Sequence, residues 1–136
     1  AMNTGHDGSM STVHSNSPMD CMGRIETLVM MAGFDLPITA IRKQMAGALD
    51  LVIQQSRLMD GSRKVTYITE VQGMEGDSIL MQDIFIFEQE GMGSDGKLKG
   101  TLKPTGLIPQ FFDRFKSNGI DVPMSLFHAK GEKPGT

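Results

Sequence analysis

Two of the three histidines in this 136-residue chain, His6 and His14, stand eight positions apart in a stretch that otherwise carries small and hydroxyl side chains, Thr4-Gly5-His6-Asp7-Gly8-Ser9-Met10-Ser11-Thr12-Val13-His14. Imidazole titrates near neutrality and donates hydrogen bonds whether neutral or charged, and a neighbouring anion raises its pKa. His6 lies between Gly5 and Asp7-Gly8, a tight turn from which a side chain can be aimed at a nearby group. The spacing is wrong for ligation from adjacent turns of one helix, and no cysteine or carboxylate cluster completes a metal set, so no metal site is expected. Neither a nucleophile nor a placed carboxylate accompanies the pair, which argues against a free-standing acid–base enzyme. The residues alone leave two readings open: anion-facing groups, or polar turn residues with local hydrogen bonds.

Phosphate chemistry needs a cradle, and none is written here. No G-x-x-x-x-G-K-[ST] pattern occurs anywhere in the chain. Gly91, Gly93 and Gly96 imitate a dinucleotide fingerprint, yet they fall between antiparallel strands instead of before a helix, and read as a loop. A guanidinium matches phosphate geometry, and Arg24, Arg42, Arg57 and Arg63 are available. Arg24 and Arg57 are the better candidates because each interrupts an apolar neighbourhood. With a net charge of −3 and scattered Lys and Arg, the chain has no electrostatic footprint for nucleic acid.

The single Cys21, inside an expected helix, forms no intramolecular disulfide and fits a reducing compartment. No apolar run reaches the roughly 18 residues of a spanning helix. A soluble, cytoplasmic protein is expected. The twelve methionines suit core gap-filling first and partner surfaces second. Because the chain opens on Ala1 without a cap or turn signal, it looks like an excised piece.

The elements that must position these groups follow from periodicity and caps. Ser9–His14, between Gly8 and Pro18, reads as a strand buried on both faces, with His14 at the edge where open α/β sheets bind ligands. Ser17-Pro18 is an N-cap followed by proline at the first helical position, and Met22, Ile25, Val29 and Ala32 form a helical stripe that Gly33 ends. After Pro37, Ile38, Ile41 and Met45 mark a second helix, with Arg42, Lys43 and Gln44 on its other side. Strands are expected over residues 50–58, 63–72, 78–88 and 97–103, joined at Asp60-Gly61, Gly73–Asp77 and Asp95-Gly96. In the second of these, Val65, Tyr67, Thr69 and Val71 face inward and Glu70 outward. The third, with apolar residues on both sides, is expected to be covered in part on each face. The lysines of the fourth guard a sheet edge. Pro109 opens a closing helix docked by Phe111, Phe112 and Phe115. An opening parallel strand with no parallel partner implies an α/β sheet that lacks its first half.

In sequence the series His6-Asp7-Gly8-Ser9, Ser11-Thr12-Val13-His14-Ser15-Asn16, Arg24-Ile25-Glu26, Leu36-Pro37, Ser56-Arg57-Leu58, Ile68-Thr69-Glu70-Val71, Gly73-Met74-Glu75-Gly76-Asp77 and Gln82-Asp83-Ile84-Phe85 resembles the traffic ATPases of type II/IV secretion and pilus assembly. The branch it is most similar to serves tight-adherence (Tad, Flp) pili, and the resemblance covers nearly the whole chain. It implies an α/β fold: the part of a RecA-like P-loop NTPase core that follows Walker B, continued by an antiparallel meander and a C-terminal helix. Residues 1–128 would form that unit and 129–136 a flexible tail.

The implied activity is ATP hydrolysis by a hexamer at the cytoplasmic face of the inner membrane, working with pilus or secretion machinery. His6 and His14 would belong to the histidine box near the γ-phosphate and the subunit boundary. Thr4, Gly5, Thr12, Arg24 and Arg57 would lie on the nucleotide side. Met19 departs from the family pattern, which usually carries an arginine after Asn-Ser/Thr-Pro. ATP and Mg²⁺ belong to the full-length protein, because the Walker A lysine and Walker B carboxylates that hold them are absent here. The isolated chain is therefore expected to bind no cofactor and to be inactive. The alternative is a stand-alone assembly module that contacts secretion ATPase subunits or pilus components.

Overall fold

The structure is a computed structural model that describes residues 8–129. Helix α1 (Pro18–Met31) starts where the sequence has Ser-Pro: Ser17 Oγ accepts from Asp20 N at 3.0 Å, and Pro18 occupies the first turn, where its missing N–H costs nothing. The helix stops at Ala32, and Gly33 turns the chain away at φ +82°. Helix α2 (Ile38–Ala48) buries Ile41 and Met45 against Met22 of α1, and Ile25, Val29 and Cys21 pack around them.

Strands β1 (Leu51–Arg57), β2 (Arg63–Glu75), β3 (Ser78–Met92) and β4 (Leu98–Pro104) form one antiparallel sheet in chain order. Val52 and Val71 complete the core with α1 and α2. Their neighbour Leu51 points the other way and lines a hollow with Phe111 and Phe115, so the sheet is covered on both faces. That second cover consists of α3 (Phe112–Ser117) and a 3₁₀ turn, Met124–Phe127, whose Phe127 stacks edge-on with Phe112 at 5.7 Å. The layering is α/β, as expected. The 3₁₀ turn had no sequence signal.

Four of the expectations need correction. Ser9–His14 is neither strand nor helix, and apart from a partly covered Val13 it is exposed. A strand needs a ladder partner, and among the described residues the sheet consists of β1 to β4 alone, with neither edge paired to Ser9–His14. The turn between β2 and β3 is Gly76-Asp77 alone, because both strands run longer than expected and Gly73, at φ +124°, sits inside β2 beside a register shift. Glu70, assigned to solvent, is 1% exposed, since α3 and its approach cover that face. Finally, most methionines are not core: Met22 and Met45 are buried, whereas Met10, Met19, Met30, Met31, Met59, Met92 and Met124 are exposed.

Register shifts also occur at Gln54/Gln55, at Ile68/Thr69, where Ile84 is the extra residue, and at Gln89/Gly91. Each such bulge sharpens the local twist. The coiled sheet brings the β1–β2 turn to the start of β4, where Leu98 N donates to Asp60 Oδ2 at 2.8 Å.

Candidate functional site

Of the residues singled out from the sequence, Thr4, Gly5 and His6 lie outside the described residues. Thr12 and His14 are exposed on the segment that leads into α1. That segment is held from two sides. On the sheet side, Ser15 Oγ donates to Gln54 Oε1 at 3.2 Å, and Gln54 Nε2 donates to the Ser15 carbonyl at 3.0 Å. On the helix side, Asn16 N donates to Asp20 Oδ2 at 2.8 Å, and Arg24 Nε reaches the same oxygen at 3.3 Å. The Asn16 N–H, followed by Arg24, holds the Asp20 carboxyl below its ordinary range.

Arg24 lies seven residues beyond Ser17, about 10 Å along α1. Arg57, exposed at the end of β1, is three residues beyond Gln54, again about 10 Å. Arg24 stays on the Asp20 side of the Ser15–Gln54 contact, whereas the alternation of β1 turns Arg57 to the face opposite Gln54, so the fold does not gather His14, Arg24 and Arg57 into one cluster. Among the described residues no hydrogen bond or ion pair joins His14, Arg24 and Arg57 to one another. Arg42, the other arginine near this layer, is committed elsewhere: it grips Glu26 with Nε at 2.9 Å and Nη2 at 3.2 Å and donates to the Asp77 carbonyl at 3.1 Å. The Glu26 carboxylate raises its pKa further.

Gln54 escaped the sequence reading, although a signal existed. It follows Val52 by two in an alternating strand, so it had to face inward, and an inward carboxamide demands partners. Glu70 escaped for a different reason: its partners, the backbone N–H groups of Gln110 and Phe111 at 3.0 and 3.3 Å, come from a segment 40 and 41 residues away.

The histidine segment and Gln54 share the α1–α2 face of the sheet. The apolar hollow of about 260 Å³ under Phe111, Phe115 and Phe127 is on the opposite face and presents no polar group to an anion. Among the described residues no group of three or more His, Cys, Asp or Glu is placed to hold a metal ion. Ser15 Oγ, Asn16 N and Arg24 beside His14 are engaged by Gln54 and Asp20, and among the described residues they form no complete Mg-nucleotide cradle.

A sequence model of the family described as "Type II/IV secretion system protein" matches residues 1–92, a span that takes in the histidine segment, both long helices and β1 to β3. The chain belongs to the type II/IV secretion system protein family. Two putative conjugal transfer proteins of Mycobacterium tuberculosis, from different strains, are each 34% identical over 76 residues, which is 56% of this chain and 21% of theirs. The chain thus spans about a fifth of the length of the curated relatives it matches. Within this family the α/β layering accords with a partial RecA-like core. Among the described residues no helix is long and apolar enough to cross a membrane.

Proposed function

We propose that this chain is the part of a secretion or pilus-assembly ATPase that follows Walker B, carrying the histidine box through which nucleotide state is coupled to subunit motion. The observation that carries the reading is the position of His14: within the family match, exposed, and fixed at Ser15 between a sheet strand and a capped helix. A ring held at its base and free at its tip can donate to a phosphate presented by another part of the subunit or by a neighbour. In this reading Arg24 and Arg57 supply cations on the nucleotide side of the full subunit. His6, Thr4, Gly5 and Thr12 complete the nucleotide side in this reading.

ATP and Mg²⁺ would be held by the phosphate loop and acidic residues of the longer subunit, and the residues of this chain would meet them from the γ-phosphate side. The working state is a hexamer of the Tad branch, peripheral to the cytoplasmic face of the inner membrane and engaged with pilus or secretion machinery. The test is the full-length subunit carrying His14→Ala. Loss of one donor to charge that develops in a transition state lowers turnover by about a hundredfold, with nucleotide affinity little altered. Unchanged turnover overturns the reading.

A further inference from the structure

Gln54 is 6% exposed, yet it sits in the middle of an edge strand, where a valine would pack at less cost. The three hydrogen bonds of its carboxamide are local to one place: it accepts from Ser15 Oγ at 3.2 Å, and it donates to the carbonyls of Ser15 at 3.0 Å and Gln55 at 3.2 Å. A carboxamide presents an acceptor and two donors in one plane, so it reads the side chain and the main chain of the same residue together. A glutamate would lose the donors, and a leucine would lose both.

The residue gripped in this way is the one that follows His14. Beyond it, Asn16 and Ser17 are tied to Asp20 of α1. Before it, residues 8–12 are exposed. His14 therefore stands where the exposed segment meets the held one, and the anchor next to it, at Ser15, comes from the sheet.

We propose that Gln54 is the positioning residue for His14, fixing where the imidazole stands by clasping Ser15 from β1. The clasp is a property of this chain; that it serves nucleotide chemistry rests on the function proposed above. Since Asp20 anchors the same segment from α1, a shift of β1 against that helix is passed to His14 through Ser15.

The test is nuclear magnetic resonance of the 136-residue chain, comparing wild type with Gln54→Leu and Ser15→Ala. In the wild type the Gln54 side-chain amide protons exchange more slowly than those of a free glutamine. Gln54→Leu lowers the backbone order parameters of His14 and Ser15 from about 0.85 to below about 0.6, while the signals of Ile41, Met45 and Val71 keep their positions. Ser15→Ala retains the bond from Gln54 Nε2 to the carbonyl and gives an intermediate loss. Fast exchange in the wild type, or unchanged order in Gln54→Leu, overturns the proposal; the exchange measurement needs no variant and so survives a substitution that misfolds. None of these signals depends on nucleotide, so their failure removes the clasp alone. An active His14→Ala subunit removes the proposed role of His14 and leaves the clasp standing.

Discussion

Glu70 shows what a single residue does in this molecule. It is buried with a full set of partners: Gln72 Nε2 donates to it at 2.8 Å, and the N–H groups of Gln110 and Phe111 complete the set. Those two backbone donors lead into α3, so the carboxylate ties the second cover of the sheet to β2. Glu70→Ala removes the acceptor of these part-buried donors and the tie to α3 and is expected to cost about 1–3 kcal/mol, read as a lower urea midpoint with an unchanged slope. Glu70→Gln keeps an acceptor oxygen and should lose less. No residue pattern announced this, because the neighbours Thr69 and Val71 face the opposite layer and the strand read as having one wet face.

Among the elements, the β1–β2 turn is held by one carboxylate. Asp60 accepts from Ser62 Oγ at 2.6 Å, from Ser62 N at 2.9 Å and from Leu98 N across the sheet. The Ser62 hydroxyl, then the backbone donors of Ser62 and Leu98, pull its pKa from 3.8 to about 2. The folded value lies below the unfolded one, so the stabilisation is complete above about pH 4 and disappears as pH falls toward 2. Thermal melts should show wild type above Asp60→Asn at pH 6, with the gap closing between pH 4 and pH 2; a constant gap would contradict the assignment. The turn itself was legible, since Asp-Gly between two alternating runs specifies a hairpin and Gly61 takes φ +85°. Its reach to β4 was not, because it depends on bulges that no local pattern announces.

For the whole molecule, a phosphate loop is absent from the sequence and His14 lies on an exposed segment. The isolated chain is accordingly expected to neither hydrolyse nor tightly bind Mg-ATP, and titration calorimetry that finds micromolar affinity would refute this. The exposed corner formed by Leu28, Met31, Phe34, Leu36 and Ile38 sits at the α1–α2 junction. The exposed methionines correct the expectation that this residue type would serve the core.

The sequence by itself determined what depends on neighbours in the chain: the Ser17 cap and Pro18 start of α1, the stripe Met22, Ile25 and Val29, the Ile41 and Met45 face of α2, and the order of four antiparallel strands. These follow from side-chain period and from backbone angles that only certain residues adopt. It also carried the family through its ordered motifs. Tertiary structure alone decided that Ser9–His14 is not a strand, that Glu70 is buried, and that Gln54 holds Ser15. Each of those outcomes turns on a partner 39 to 41 residues away, or on the lack of a ladder partner, and period and propensity carry no information about either.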